Sequence, residues 1–349
     1  MTVTKYGTNA GRINKFKGEL LGHAMAVECL GITGQNKKMP KNNGNNVVYR
    51  RWLPFGAANT NINTENRPAV VVANHITTEG QTPTADSMTP VDVPVTLAQY
   101  ACLYSVTDQA VDLYEDDIPA EMKKQTGERM GLLREMIRYG VLKAATNVYY
   151  SGGTTRATVD EAVTINLLRK ITRNLHSNHA KQITSILAPS QNYGTSSVEA
   201  AWLVFVHTDA ESDIRDLPGF TAVADYGSRK PLHDMELGSV ERYRFIVSPE
   251  LASYPDAATS VTAATAGLYS TTGTNPDVYP MIVVGEDAWG DVALRGINSV
   301  DPTWIAPGQK DKNDPLGQRG YIGAKFYAAS AIMNGGWMAV AEVGVAALS

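Results

Sequence analysis

The side chains of this chain with the most catalytic potential follow one apolar run. His207, Asp209 and Asp213 come after residues 202–206, which have the composition of a buried strand. Imidazole and carboxylate groups ligate Zn²⁺ and can transfer protons. A metal-dependent hydrolase that uses these three residues is therefore one hypothesis. The same pattern is typical of a strand end followed by a helix N-terminus, where acidic side chains complement the helix dipole.

Two other polar clusters have simpler explanations than metal binding. His176 and His179 share a helix face but have no carboxylate or thiol near them in the sequence, and residues 311–314 are typical of a polar loop. The sequence also contains no GxSxG elbow, HExxH pair, phosphate-binding loop or EF-hand loop. We therefore predict a protein that is not an enzyme, with no catalytic residues, no metal site and no cofactor.

Composition indicates an ordinary globular protein. The 349 residues are 43% hydrophobic and 19% charged, and no apolar run reaches the roughly 18–20 residues of a membrane helix, so no membrane partner is expected. The first residues lack the apolar core of a signal peptide. The only two cysteines, Cys29 and Cys102, favour reduced thiols in a cytosolic setting over a disulfide framework.

The charge of the chain is unevenly distributed. The first 51 residues carry nine basic and two acidic side chains, a net charge of +7, which leaves −11 for the remainder. Such a basic arm favours either a polyanion or an acidic neighbouring subunit as its partner, although a solvated terminus is the simpler alternative. The candidate polyanion contacts are Lys5, Arg12, Lys15, Lys17, Lys37, Lys38 and Lys41.

A long polar excursion, residues 55–90, separates two strand-like runs at 47–53 and 91–97. Structureless connections of this length are uncommon in compact domains, and this one has few apolar residues whose burial could offset its ordering entropy. We therefore expect it to lie on another molecule. Arg50 and Arg51 beside Trp52 could stack on nucleic acid, but paired acids on a neighbour are the simpler expectation. The predicted inter-subunit contacts are Arg50, Arg51, Trp52, Phe55, Glu79 and Asp86.

Periodicity predicts the elements around this excursion. The apolar face of the return strand changes parity, which predicts a kink near Ala98 and Gln99. Apolar spacings of three and four predict one long helix over 119–150, with internal glycines that indicate a bend or a close backbone contact. A capping box at 158–161 predicts the start of a second helix. Residues 321–333 and 337–345 are predicted to form an antiparallel pair around the turn at 334–336.

Several segments together resemble the major capsid proteins of tailed double-stranded DNA phages, specifically the family of the N4-like phages. The most specific segment is Asp314-Pro315-Leu316-Gly317-Gln318-Arg319-Gly320. The order of the elements along nearly the whole chain also matches that family. The segments that carry the resemblance are 78–80, 82–83, 97–100, 202–220, 226–233, 287–290, 314–320 and 323–327.

The resemblance implies an α+β fold of the HK97-like (Hong Kong 97-type) capsid class, with an N-terminal arm, an extended loop, a long spine helix in a peripheral domain, and an axial domain. The chain would divide into the arm (1–46), the extended-loop hairpin and its base strands (47–107), the peripheral domain with the spine helix (108–158), the axial domain (159–316), and a C-terminal return to the peripheral sheet (317–349).

The resemblance also implies a function and its partners. The protein would self-assemble into hexamers and pentamers of an icosahedral virion shell around packaged DNA, which it would contact by non-specific electrostatics, after synthesis in the bacterial host cytoplasm. A separate scaffolding protein, a portal and decoration proteins are further expected partners. Residues 55–90 contain no lysine, so we predict cohesion without lysine-based cross-links. An encapsulin-like bacterial compartment is the alternative within this fold.

Overall fold

The computed structural model describes residues 28–42, 44–57, 60–77, 79–82, 85–114, 117–187, 195–227, 230–294, 300–310 and 312–348. The helices are α1 (Asp108–Leu113), α2 (Ile118–Leu142), α3 (Ile165–Ser177), α4 (Glu211–Arg215) and α5 (Ala263–Ala266). The strands are β1 (Gln35–Met39), β2 (Asn46–Trp52), β3 (Pro90–Thr96), β4 (Ala98–Thr107), β5 (Val148–Tyr150), β6 (Ile183–Leu187), β7 (Thr195–Val206), β8 (Thr221–Ala222), β9 (Glu236–Val240), β10 (Tyr243–Val247), β11 (Tyr279–Val284), β12 (Trp289–Leu294), β13 (Asp301–Ile305), β14 (Arg319–Ile332) and β15 (Met338–Val343). Short 3₁₀ turns lie at Leu30–Ile32, Val72–His75, Arg156–Thr158, Thr208–Ala210, Val223–Asp225 and Gly335–Trp337.

The larger sheet carries the main core on both of its faces. Its strands run in the order β5-β15-β11-β7-β10-β9-β8, and β6 pairs with β7. On β7, Val204 and Val206 pack in one apolar cluster with α3, while Leu203 and Phe205 pack in a second cluster with the end of α2. Burial of both faces explains why these strands are continuous apolar runs rather than alternating ones.

The smaller sheet is covered by α2. Its order is β1-β12-β14-β13, and β4 pairs with β14 over the ten residues of β4. Met130 of α2 packs with Cys102, Ala324 and Phe326 of that sheet. Asp117 caps the helix, because its carboxylate accepts a hydrogen bond from the Ala120 N–H at 3.1 Å. The mixture of helices and sheets confirms the α+β prediction.

The strands around the excursion form a separate two-stranded sheet, β2 with β3, as predicted. The predicted kink is present at Leu97, between β3 and β4. It exists because β3 pairs with β2 while β4 pairs with β14 of the smaller sheet, so the chain passes from one sheet to another.

Two predictions from periodicity are wrong in their boundaries. The long helix α2 ends at Leu142 rather than at residue 150, because β5 pairs in parallel with β15 instead of continuing the helix. The second helix, α3, begins at Ile165 with Thr164 as its cap, six residues after Thr158, the predicted cap. Spacing along the chain cannot distinguish a helix from a following strand when both are apolar.

The predicted C-terminal antiparallel pair is also wrong. β14 lies in the smaller sheet and β15 in the larger one, and the 3₁₀ turn Gly335–Trp337 joins them. Asn334 accepts a hydrogen bond from the Gly336 N–H at 3.0 Å and so shapes a turn that redirects the chain. The larger sheet thus receives β5 from segment 108–158 and β15 from segment 317–349, and the proposed domain division stays a prediction.

The internal glycines of α2 differ in their surroundings. A Cβ at Gly131 would collide with the Glu28 carboxylate, so the predicted close contact exists there. Ideal Cβ atoms at Gly127 and Gly140 would meet nothing within 4 Å among the described residues. In the described part of the chain, no helix is long and apolar enough to cross a membrane.

Candidate inter-subunit surface

The two-stranded sheet holds the base of the excursion and has two different faces. Val47, Tyr49 and Val95 pack in a small apolar cluster with the smaller sheet. Val48 and Trp52 point the other way, with 55% and 52% of their surfaces exposed. The alternation of a strand therefore anchors one face of β2–β3 and presents the other to solvent.

Arg50 pairs within its own chain on the exposed face. Its Nε and Nη2 donate to the two oxygens of Asp92 at 2.7 and 2.8 Å, across directly opposed positions of β2 and β3. This hydrogen bonding lowers the pKa of Asp92 and raises that of Arg50. Asp92 of the same chain thus supplies an acidic partner for Arg50, and solvent screens this exposed pair. Contact of Arg50 with a neighbouring subunit stays a prediction.

Arg51 is directed toward the body of its own subunit. Its Nη2 donates to Asn66 Oδ1 at 2.9 Å, and its guanidinium carbon lies 4.3 Å from the centre of the Trp337 ring. Burial lowers the pKa of this half-buried side chain. A cation over an indole ring is a favourable contact when it is partly desolvated. Arg51 therefore attaches the excursion to the turn Gly335–Trp337, which joins the smaller sheet to the larger one.

Asparagine side chains complete this attachment. Asn66 Oδ1 also accepts from Asn334 Nδ2 at 2.7 Å, and Asn63 Oδ1 accepts from the Gly335 N–H at 2.7 Å. Asn66 Nδ2 donates to the Asn63 carbonyl at 3.0 Å. Only 4% of Asn66 is exposed. We call Asn63, Asn66, Asn334 and Gly335, together with Arg51, the asparagine clasp.

Beyond the clasp, the excursion is exposed even where it is apolar. The side chains of Val70, Val71, Val72 and Ile76 are 55%, 61%, 77% and 75% exposed. We call residues 70–76 the apolar tip. Contiguous exposed apolar side chains on a soluble protein usually mark an interaction surface.

The remaining predicted contacts of the excursion are solvent-accessible. Phe55 is 65% exposed, and Glu79 and Asp86 are also exposed. Thr78 and Pro83, which contribute to the sequence resemblance, lie outside the described residues. Sequence reasoning missed the asparagine clasp entirely, because asparagines in a polar run are also typical of ordinary turns.

The basic arm is described only in part. Lys5, Arg12, Lys15 and Lys17 lie outside the described residues. Lys37 and Lys38 are exposed on β1, which pairs in parallel with β12, and Lys41 is exposed in the following turn. The described lysines are thus accessible to a charged partner, and their role stays a prediction.

The three residues of the hydrolase hypothesis form hydrogen bonds that stabilise the fold. His207 Nδ1 accepts the Asp209 N–H at 3.1 Å, and Asp209 accepts the Tyr279 hydroxyl at 2.7 Å. Asp213 accepts the Ala346 N–H at 3.0 Å, and burial raises its pKa. Within the described ranges there is no group of three or more His, Cys, Asp or Glu side chains that could hold a metal ion.

The loop at 312–318 is likewise structural where it is described. Asp314 accepts the Arg319 N–H at 2.8 Å and thereby closes the turn before β14. Asp311 lies outside the described residues. The most specific segment of the sequence resemblance therefore contains the turn that begins the longest strand of the smaller sheet.

Comparison with known proteins gives one consistent result. No protein-family model matches the chain. The major capsid protein of Pseudomonas phage KPP21 is 22% identical over 263 residues, a match that covers 70% of this chain and 65% of that protein's length.

Solved structures match over nearly the whole chain. The capsid protein of Helicobacter pylori bacteriophage KHP30 aligns with a TM-score of 0.61 at 9% identity, covering 99% of both chains. That of cyanophage Pam1 aligns with a TM-score of 0.60 at 15% identity, covering both chains completely. That of Ralstonia phage GP4 aligns with a TM-score of 0.59 at 10% identity, covering 97% of this chain and 99% of that one. The chain therefore has the fold of phage capsid proteins, the Hong Kong 97-type fold that the sequence resemblance implied.

Proposed function

We propose that this chain is a major capsid protein that self-assembles into the hexamers and pentamers of an icosahedral phage shell. The observation that carries the proposal is the match of the whole fold to capsid proteins from several phages. The sequence similarity to a phage major capsid protein supports the same function independently. The role is structural and involves no catalysis.

The exposed apolar tip gives this proposal a physical reason. Four aliphatic side chains that are more than half exposed are unfavourable in an isolated subunit. In a shell of symmetric capsomers, each subunit meets neighbours on several sides, so an excursion whose apolar side chains are exposed in its own subunit can be covered by the next one. The excursion would then be the extended loop that contacts a neighbour.

The other parts of the chain take the roles that the resemblance implies. Residues 1–46 would form the N-terminal arm, 47–107 the loop hairpin and its base, 108–158 the peripheral domain, 159–316 the axial domain, and 317–349 the return to the peripheral sheet. A separate scaffolding protein, a portal, decoration proteins and packaged double-stranded DNA would be the partners. The basic residues of the arm support contact with DNA through electrostatics that do not depend on sequence.

An assembly experiment tests the proposal. The full chain would be expressed in bacteria, with and without a co-expressed scaffolding protein, and the lysate examined by electron microscopy and size-exclusion chromatography. We expect closed particles of uniform size that contain this chain as the main protein. A chain that stays monomeric under every condition would contradict the proposal.

A further inference from the structure

The described residues leave a groove open between α2 on one side and the strands β13 and β14 on the other. It has a volume of about 530 Å³. Glu28 lines it, and the lining residues of α2 are Lys123, Thr126, Gly127, Met130, Gly131 and Arg134.

The lining of this groove is largely apolar, and its charges are mixed. Met130 and Ile322 are 4% and 3% exposed, whereas Val300 and Trp304 are 38% and 41% exposed. The charged lining residues are two cations and one carboxylate, Lys123, Arg134 and Glu28. Apolar contact rather than net charge therefore decides what the groove fits.

Glu28 is the first described residue of the chain, and several contacts fix its position. Its carboxylate lies where a Cβ on Gly131 would be, and its carbonyl accepts a hydrogen bond from His233 Nε2 at 3.2 Å. The N–H groups of the next two residues, Cys29 and Leu30, both donate to a carboxylate oxygen of α2 at 2.7 Å. The described chain therefore begins against α2, in the lining of the groove.

These contacts also give the direction of the chain along α2. Followed backwards from Gly31 to Glu28, the chain passes Arg138, Glu135 and Gly131 in turn. It thus moves toward the start of the helix. Seven helical residues rise about 10 Å, which is also what three extended residues span. Continued at the same rate, this path runs along the groove.

The residues that precede Glu28 have the length and the polarity that this path requires. Lys123 lies eight helical residues before Gly131, a rise of about 12 Å that four extended residues cover. The four residues before Glu28 are all apolar, Ala24-Met25-Ala26-Val27. Alternate side chains of an extended chain share a face, so the two alanines lie on the same face as Glu28, toward α2.

A glycine of α2 lies on the same path. Gly127 is exposed, has no described atom within 4 Å of an ideal Cβ, and does not have the positive φ that would require glycine. Glycine inside a helix lowers stability relative to alanine. At Gly131, one turn later, the Glu28 carboxylate is the reason for glycine. A chain that passes over Gly127 supplies the same reason there.

We propose that residues 24–27 of the N-terminal arm occupy this groove in their own subunit, with Ala26 over Gly127. The larger side chains of the segment would contact the apolar wall that includes Trp304. The basic part of the arm, up to Lys17, would then leave the body near Lys123. The inference concerns a single chain, so it goes beyond the proposed function and holds whether or not the chain assembles.

A cysteine pair within one full-length chain tests this inference. Ala24→Cys would be combined with Lys123→Cys, and the purified, dilute subunit oxidised mildly. A disulfide requires the two Cα atoms to approach within about 7 Å. We expect an intrachain disulfide in most chains, seen as a faster band in non-reducing gels and as a linked peptide pair in mass spectrometry. Ala24→Cys alone should give no cross-link, because the native Cys29 and Cys102 are buried.

Ala24→Cys with Lys124→Cys is the matched control. Lys124 is an exposed lysine one position further along α2, and it is not among the described residues that line the groove. An arm that is only tethered at Glu28 would reach both lysine positions, whereas a seated arm reaches Lys123, so few control chains should close. Equal closure of the two pairs, or disulfides only between chains, would overturn the inference and leave the proposed function intact.

Alanine at the two open glycines of α2 gives a second measurement on the full chain. Gly140 is exposed, has no described atom within 4 Å of its Cβ position, and lies outside the described lining of the groove. Gly140→Ala should raise the melting temperature, because alanine favours a helix. Gly127→Ala should leave it unchanged or lower it, because the new Cβ would meet residues 24–27. An equal rise for both variants would contradict the passage of the chain over Gly127.

Discussion

Residues 61–66 and residues 70–76 of the excursion differ in polarity and in burial. The polar segment contains a buried side chain and the apolar segment is exposed, which is the reverse of the usual distribution. Asn66, a polar residue, is 4% exposed, whereas Val72 and Ile76 are 77% and 75% exposed. Polar side chains are normally at the surface and aliphatic ones inside. The excursion therefore uses hydrogen bonds to attach itself to its own subunit and keeps its apolar surface free.

The physical reason lies in what each type of contact requires. A buried amide is stable only if its donors and its acceptor are paired. Asn66 Nδ2 donates to the Asn63 carbonyl, and the turn after β14 supplies the donors, with Asn334 Nδ2 donating to Asn66 Oδ1 and the Gly335 N–H to Asn63 Oδ1. Such a network is directional, so it sets the angle at which the chain leaves the body. Apolar contact is not directional, which suits a surface that meets a partner arriving from outside.

Two overlapping deletions should separate the parts of the excursion, and they have the largest expected effect. Removing residues 68–87 deletes the tip and keeps the clasp, whereas removing residues 60–85 also deletes Asn63 and Asn66. We expect both chains to lose shell assembly in electron microscopy. Only the longer deletion should lower the melting temperature of the isolated subunit, because only it leaves Arg51 and Asn334 without their partner. Equal melting temperatures for the two deletions would show that the clasp contributes nothing to stability.

A substitution in the clasp should have an intermediate effect. Asn66→Ala removes the acceptor for Arg51 and Asn334 and leaves buried donors unpaired, so we expect the free energy of unfolding to fall by about 2 kcal/mol. Chemical denaturation of the isolated subunit measures this change.

The control for that variant is Asn74→Ala, which lies in the same excursion at an exposed position. Its unfolding free energy should stay within about 0.5 kcal/mol of the wild-type value, as for most surface substitutions. If both variants lose the same stability, the difference between the buried and the exposed part of the excursion does not hold.

The smallest effect is expected for Arg50→Ala. Arg50 and Asp92 are exposed and pair across β2 and β3, where solvent screens their attraction. The isolated subunit should therefore keep its melting temperature, and raising the salt concentration should not distinguish the variant from the wild type. A clear loss of stability would mean that this pair, and not the clasp, holds the base of the excursion.

The sequence predicted the elements whose pattern is local. The antiparallel pairing of β2 and β3 and the kink before β4 follow from alternation along the chain, which depends only on neighbouring residues. The long helix was predicted with the correct start but ended eight residues too late, because Val148 continues the helical spacing and yet pairs with β15. The C-terminal pair was wrong for the same reason, since a good turn sequence does not reveal which sheet each flanking strand joins.

The candidate surface was predicted only in outline. The sequence indicated that residues 55–90 need a partner, and it named exposed residues such as Trp52 and Phe55. It did not indicate that Arg50 pairs with Asp92 and Arg51 with Asn66 of the same chain, and the contact of both arginines with neighbouring subunits stays a prediction.

By itself, the sequence indicated the fold class through its resemblance to the phage capsid family. It also determined the absence of the known catalytic motifs and the presence of a long excursion that few of its own residues could bury, and these two features depend on residue types and on spacing along the chain. Only the tertiary structure decided which part of the excursion is held and which is free. Asn66 and Asn334 are 268 residues apart, and no local pattern records that they meet. Hydrogen bonds act over a few ångströms in space, so their partners appear only when the chain is folded.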